Sequence, residues 1–415
     1  MASKSSKRAL PVVLLAIFLD LVSYSILIPI LPQLLANPDS PYYLLPHAVP
    51  ASYGYIMLGF LIAVFPIIQF FSTPILGELS DIRGRKKILI ITLIGTCTSL
   101  LVLGAGVVYR SLTLLFASRV IGGIVGGNIS VAQAAIADIT PAGERTKYFG
   151  FISAAYGIGL ILGPVAGGLL SDSSLVPWFA AATPFWFAAG LSFVNIVLVW
   201  IFLVETKPDF GHRPESISWL ASVGHIIRAY GMKRVRAVFV SNFFFQAGIT
   251  FLTTFFSVYL IARFKFDQLA IGYYIGYMGI CLVLVQAFVL PFIVKRLDGV
   301  SMLRISLITG SATIFAYYIP GGIIGLVLVG ALVALTNGLS MAGLPSLVSE
   351  RTPASIQGEI LGINASVQAL AQAVPPILAG FLAADIAPVA PVYIAGATIG
   401  FAWIILVSFV RVENK

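Results

Sequence analysis

The stretch Gly77-Glu-Leu-Ser-Asp-Ile-Arg-Gly-Arg-Lys-Lys-Ile-Leu89 places Glu78, Asp81, Arg83, Arg85, Lys86 and Lys87 within ten residues of a chain that is only 10% charged. Uncharged apolar runs flank it, residues 51–76 before and 88–109 after. A run of roughly 20 apolar residues is what a helix needs to cross the hydrocarbon core of a bilayer. The stretch therefore reads as a short polar junction between two membrane spans, and that reading decides the fold class. The composition agrees. The 415 residues are 59% hydrophobic with a mean hydropathy of +1.00, whereas a soluble domain is about half apolar and about a quarter charged.

Apolar runs and their breakers predict twelve spans, numbered 1 to 12, beginning near residues 10, 53, 88, 112, 148, 180, 236, 269, 302, 323, 357 and 390. The first run, from Ala9 to about Leu35, follows Lys4, Lys7 and Arg8 but carries Asp20 inside and lacks a small-residue cleavage site. It reads as a retained span and not as a signal peptide. With both termini cytoplasmic, 21 of the 25 Lys and Arg fall on that side; Arg110, Arg263 and Lys265 lie outside, and Arg119 lies within a span. This asymmetry sets orientation by the positive-inside rule. It also accounts for the net charge of +9 without a nucleic-acid partner, which would need a basic patch on a soluble surface. Cys97 and Cys281 lie in apolar runs, and His47, His212 and His225 lie in predicted loops, so no metal-ligand spacing or cofactor motif is present.

The two halves share residues at fixed offsets. Pro74 to Asp81 matches Pro291 to Asp298. Pro141-Ala142, Gly150, Pro164, Gly168 and Leu170 return 212 residues later as Pro353-Ala354, Gly362, Pro376, Gly380 and Leu382. The expected organisation is a six-span half (1–204), a polar cytoplasmic linker (205–235) and a second six-span half (236–415). Such a parallel duplication is a secondary-transporter design, with substrate bound near the midplane between the halves.

On these residues the chain resembles the major facilitator superfamily. Gly77-x-Leu79-Ser80-Asp81-x-x-Gly84-Arg85-Lys86 is similar to that family's signature between spans 2 and 3. The resemblance covers nearly the whole chain and implies an all-α membrane protein of twelve transmembrane helices in two six-helix halves. It also implies a conformational gate formed by Gly77, Asp81, Gly84, Arg85 and Asp138. Physically, Asp81 could face the positive N-terminus of span 11 near Gln357, and Arg85 could pair with Asp138 at the cytoplasmic end of span 4. A solvated loop would suffice for Lys86 and Lys87.

Span 5 carries Gly159-Leu-Ile-Leu-Gly163-Pro164-Val-Ala-Gly167-Gly168. Small residues four apart make a smooth face for close helix approach, and a proline bends a helix. Helix packing alone would explain the glycines, but the full string resembles the signature of the drug:proton antiporter branch. Phe18-Leu-Asp20, Ile28-Pro29-Ile-Leu-Pro32 and Arg119-Val-Ile-Gly-Gly are similar to the same branch.

Counting from the span ends at about 1.5 Å per residue places Asp20 and Arg119 near mid-depth. An acid there is a functional candidate by default, with the arginine as its expected partner. The pair reads either as a proton-coupling site that binds and releases H⁺ between conformations or as a static ion pair. Asn242, Gln246, Thr250, Thr253 and Ser257 of span 7 fall within about an 80° arc. Asn364, Gln368 and Gln372 share a face of span 11. With Tyr24 and Gln133, these residues form the expected substrate cavity, although polar stripes also glue helices together. Phe243, Phe251, Phe255, Tyr273 and Tyr277 are candidates for an apolar and cation–π surface.

Within the branch, Ala135-Ala-Ile-Ala-Asp138-Ile-Thr140, Glu144-Arg145, Phe149-Gly150 and Gln357-Gly358 are very similar to the tetracycline efflux proteins. Those proteins carry an acid in span 3 where this chain has Ser99, and a histidine in span 8 where it has Leu282. They also carry an acid in span 9 with no counterpart between Met302 and Ile319. Tetracycline is therefore not assigned.

The expectation is export of a small lipophilic or amphiphilic compound in exchange for protons, by a monomer in the plasma (inner) membrane. No covalent chemistry is implied. The alternatives are an uncoupled facilitator or metabolite carrier of the same fold and a transport-inactive membrane receptor or scaffold.

Overall fold

The computed structural model describes residues 4–140, 145–206, 223–224, 227, 236–350 and 357–410. Most of the 205–235 linker, and Pro141, Ala142, Pro353 and Ala354 of the internal match, lie outside them. The described residues are helical throughout, without a strand. Span 1 is Lys4–Ser25, span 2 Ala51–Arg83, span 3 Arg85–Val108 and span 5 Arg145–Leu170; span 4 is made of Leu112–Val125 and Asn128–Ile139. Span 6 is Thr183–Phe202, span 7 Arg236–Phe264, span 9 Gly299–Phe315, span 10 Ile323–Glu350, span 11 Gln357–Asp385 and span 12 Ala390–Phe409. Span 8 runs from Gln268–Leu284 through a wide π turn, Val285–Val289, into Leu290–Val294. Pro291 follows that turn directly and has no N–H to extend an ordinary α-helical ladder. Ten of these helices are long and apolar enough to cross a membrane, and Leu10–Ser25 and Gly157–Leu170 are shorter apolar stretches.

Two differences from the sequence expectation stand out. Spans 2 and 3 are separated by one residue, Gly84, at φ 96°. Only glycine adopts that backbone without strain, so the polar junction is a sharp corner and not a loop. Span 4 is interrupted at Gly126–Gly127.

The chain forms two compact units: 1–46, 64–221 and 267–276 in the first; 47–63, 222–266 and 277–415 in the second. In the first unit, span 1 packs on spans 5 and 6, and span 3 on spans 4 and 6. In the second, span 7 packs on spans 11 and 12, and span 9 on spans 10 and 12. The pairing repeats with an offset of six spans.

Lipid tails are as apolar as leucine, so close backbone approach and buried hydrogen bonds must hold the helices together. Both are present. Ser25 Oγ donates to Gly159 O at 2.9 Å and joins span 1 to span 5. Asn195 Nδ2 donates to Ala16 O at 3.0 Å, joining span 6 to span 1. Ser241 Oγ donates to Ala402 O at 2.9 Å, joining span 7 to span 12.

The glycines of span 5 mark the closest approaches. A Cβ at Gly159 would lie 2.8 Å from Leu21 Cβ, and one at Gly163 would collide with Ser25 Oγ and come 2.8 Å from Val22 O. Gly167 abuts the Ile26 carbonyl, and Gly168 lies against Gln268 and Leu269 at the start of span 8. In the second unit, Gly380 lies against Tyr55, Ile56 and Gly59 at the start of span 2. The helix starts 267–276 and 47–63 thus belong by contact to units from which they are distant in sequence.

Candidate functional site

The first element of the site is the corner at Gly84. With no turn residues to spare, Asp81 and Arg85 stand one helical turn apart across it. Arg85 Nη2 donates to Asp81 Oδ1 at 2.7 Å and Nε to Asp138 Oδ2 at 2.9 Å, while Nη1 bonds the Ser80 hydroxyl. Arg85 is 6% exposed and Ser80 is fully buried. The planar guanidinium serves three partners in three directions, tying spans 2, 3 and 4 together. Gly77 supplies a carbonyl that accepts from Ser80 Oγ at 2.6 Å. Asp81 was expected to find a helix dipole at the start of span 11 near Gln357; residues 351–356, immediately before it, lie outside those described.

Sequence reading missed Glu205. Its Oε1 accepts from Arg85 N at 2.8 Å and its Oε2 from Lys86 N at 3.2 Å, capping the first turn of span 3. Lys86 Nζ in turn donates to Trp200 O at 2.7 Å. A signal was available. A lone acid at the C-terminal end of an apolar helix opposes that helix's own dipole, so it calls for a partner elsewhere.

The second element is the membrane acid. Asp20 lines a cavity with Ala16 and Ile17 of span 1, Leu89 and Leu93 of span 3, and Asn128, Ile129 and Ala132 of span 4. Asn128 is the polar residue that shares this cavity with it. The ion pairs within 4 Å among the described residues are those of Arg85, so Asp20 and Arg119 are not paired here. Helix arithmetic explains the separation. Asn128 lines the cavity of Asp20, and Arg119 stands nine residues away along span 4, or about 13 Å at the α-helical rise. Arg119 is 6% exposed, and its Nε donates to Ser118 Oγ at 3.4 Å. Ser99, standing where tetracycline efflux proteins carry an acid, donates to Ser118 O at 2.7 Å and braces span 3 on span 4 beside Arg119.

The expected cavity residues divide. Tyr24 is 44% exposed and Gln133 is also exposed. In the second unit, Asn242 is 1% exposed, and its Nδ2 donates to Asn364 Oδ1 at 2.8 Å, joining spans 7 and 11. Its Oδ1 is buried with no hydrogen-bond partner among the described residues. Gln246, Thr250 and Gln368 are half-buried, Thr253 is exposed, and Ser257 is buried at 1%. The span 7 stripe therefore does not face one environment. Phe251 and Phe255, candidates for an adaptable surface, are 6% and 0% exposed and belong to the packed interior. Tyr277 donates its hydroxyl to Val327 O at 2.9 Å. Among the described residues no group of three or more His, Cys, Asp or Glu could hold a metal ion.

Comparison with known proteins fits this geometry. The family model described as the Major Facilitator Superfamily matches residues 13–376. The chain is 29% identical over 408 residues to the class C tetracycline resistance protein of Escherichia coli, covering 96% of this chain and 94% of that one. It is 28% identical to multidrug resistance protein 2 of Bacillus subtilis (strain 168), covering 78% and 79%. The crystal structure of the human organic anion transporter MFSD10 (TETRAN) superposes with a TM-score of 0.71 at 23% identity, covering 97% of this chain and all of that one. An all-helical membrane architecture, a six-span repeat and a family match over most of its length make this chain a transporter of the Major Facilitator Superfamily and not an enzyme.

Proposed function

We propose that the chain exports small lipophilic or amphiphilic molecules in exchange for protons by alternating access. The observation that carries this reading is Asp20, an acid within a membrane span that lines a cavity with the neutral amide of Asn128 and is free of any ion pair among the described residues. A carboxyl locked to an arginine has little reason to take up a proton, whereas one beside an amide can cycle. The likeness to a tetracycline resistance protein and a multidrug resistance protein supports export as the direction. The Arg85 network supports a conformational gate, since a buried three-way clamp is a discrete arrangement that must be remade whenever these helices shift. The positive-inside asymmetry supports the plasma or inner membrane with both termini cytoplasmic, and a monomer is the working oligomeric state.

One observation favours a second reading of the substrate. Arg119 is buried at 6% exposure with no carboxylate within 4 Å among the described residues. A desolvated guanidinium without a counter-ion is suited to an anionic substrate. The likeness to the human organic anion transporter MFSD10 points the same way.

The test is uptake into inverted vesicles of a fluorescent lipophilic cation, of tetracycline and of a fluorescent organic anion, with and without an imposed pH gradient. Gradient-driven uptake lost in Asp20→Asn supports antiport, and the transported probe assigns the substrate charge. Uptake that ignores both the gradient and the substitution overturns antiport and leaves a facilitator.

A further inference from the structure

Spans 7 and 11 meet in the second unit through a pair of amides. Asn242 Nδ2 donates to Asn364 Oδ1 at 2.8 Å. An amide offers one carbonyl oxygen and two N–H donors. A pair that shares one hydrogen bond therefore keeps one free oxygen and free N–H groups, whichever way round the two amides are set. The free oxygen is Asn242 Oδ1, buried without a hydrogen-bond partner among the described residues, on a side chain whose residue is 1% exposed. An unpaired oxygen is costly in a membrane interior and calls for a partner from beyond the packed helices.

The pair is the first rung of a ladder. Gln246 follows Asn242 by four residues and Gln368 follows Asn364 by four, each step a rise of about 6 Å and a turn of about 40°. Because successive spans reverse direction, spans 7 and 11 run the same way, and both glutamines lie on the same side of the asparagine pair. Both are half-buried, and neither side-chain amide forms a hydrogen bond among the described residues. Thr250, the next step on span 7, spends its hydroxyl proton on Gln246 O at 2.9 Å and keeps acceptor capacity only. No charge enters the ladder: residues 237–262 and 360–384 contain no Asp, Glu, Lys, Arg or His. Helix packing does not account for the amides. The equivalent contact of the first unit, between spans 1 and 5, closes on Gly159, Gly163, Gly167 and the Ser25 hydroxyl, and residues 10–25 and 148–170 contain no Asn or Gln.

We propose that Asn242, Gln246, Asn364 and Gln368 form a substrate subsite for an uncharged amide-type group, an N–H beside a C=O as in a carboxamide or lactam, carried on a lipophilic molecule. The proposal rests on the reading of these residues as part of the substrate cavity and names the chemistry they select. An N–H of the ligand satisfies the Asn242 oxygen while its C=O accepts from the amide N–H groups of the ladder. A carboxylate finds no cation here, and an ammonium finds no acid. A site made of hydrogen-bonding groups rejects the analogue that cannot pair them, since its own polar atoms are then left unsatisfied. The subsite selects on hydrogen-bond pattern and not on charge.

The test is equilibrium binding, to the detergent-purified full-length protein, of pyrene compounds that differ only in the end group. They are the primary carboxamide, the N,N-dimethylamide and the methyl ester, which accept but do not donate, the carboxylate and the amine. The carboxamide is expected to bind about tenfold more tightly than the others, the worth of one buried hydrogen bond. Asn242→Leu should remove that preference. Gln246→Leu and Gln368→Leu, whose amides tie no helices together, should each reduce it about threefold, and they keep the test decisive if Asn242→Leu fails to fold. Equal binding of carboxamide and ester by the wild type, binding of none of the series, or a preference that survives the substitutions overturns the proposal. A lowered melting temperature in Asn242→Leu with the preference intact also overturns it and identifies the pair as helix glue. The result is separable from proton-coupled export. Gradient-driven uptake of the lipophilic cation with no carboxamide preference removes the subsite and leaves export standing, whereas a carboxamide preference without gradient-driven uptake of any probe supports the subsite and removes antiport.

Discussion

Replacing Arg85 by lysine keeps the charge and removes the geometry. The guanidinium reaches Asp81 at 2.7 Å and Asp138 at 2.9 Å from different nitrogens while bonding Ser80 from the third. A lysine ammonium is a single point on a flexible stem and cannot hold both carboxylates at once. A hydrogen bond to a charged group contributes about 1.5–3 kcal/mol when buried. The Asp81 and Asp138 side chains are 44% and 27% exposed, so solvent screening discounts the loss to about 1–2 kcal/mol in total. In a two-state gate that is roughly a 5- to 30-fold change in the equilibrium.

The assay is a double-mutant cycle on the detergent-purified protein, comparing Arg85→Lys, Asp138→Asn and the pair by thermal unfolding and by transport rate. Because the two side chains share one interaction, the pair should lose less than the sum of the single losses, with a coupling of about 1 kcal/mol. Strict additivity, or an Arg85→Lys protein matching wild type in both stability and rate, would refute the idea that the fork geometry holds these helices.

Other consequences follow from the same structure. Asp20→Asn should abolish pH-gradient-driven transport yet leave gradient-independent substrate exchange measurable; exchange lost to the same extent would mean that the acid serves binding and not coupling. Gly163→Val should drive a side chain into Ser25 and the Val22 carbonyl, at a cost of about 1–3 kcal/mol for overpacking. That cost would appear as a lowered melting temperature, and a wild-type value would show that spans 1 and 5 can separate freely. Asn242→Ala breaks the bond to Asn364, which between membrane helices is worth about 0.6 kcal/mol and up to about 2. Only a small thermal shift is expected, so a large fall in substrate affinity would identify the unpartnered Asn242 oxygen as a ligand contact. Glu205→Gln should weaken the cap on span 3 by about 0.5–1 kcal/mol, and a salt-independent effect of that size on stability would argue against a dipole contribution.

Much of the fold was legible because the bilayer imposes coarse rules that a sequence must obey. Span-length apolar runs and charges gathered on one side follow from solvation. The glycine string of span 5 was equally readable, since glycine every fourth residue in lipid has few uses other than close approach. The site was less legible. Counting residues from span ends put Asp20 and Arg119 at similar depth and made them partners, but in the structure Asp20 shares its cavity with Asn128, nine residues along span 4 from Arg119. The Phe251 and Phe255 rings show the same weakness, because an aromatic residue has one composition whether it faces a cavity, lipid or its own core.

What the sequence determined by itself is therefore the part governed by one-dimensional physics: an all-helical membrane chain, duplicated, with a polar junction between spans 2 and 3 and an acid inside span 1. The tertiary structure decided the partners. Helix packing set Asp20 in one cavity with Asn128, brought Glu205 to cap a helix 120 residues earlier in the chain, and interrupted span 4 at Gly126–Gly127, where Gln69 of span 2 donates to Gly126 O at 2.6 Å. Those outcomes depend on how helices rotate and approach one another, a degree of freedom that hydropathy and spacing do not encode.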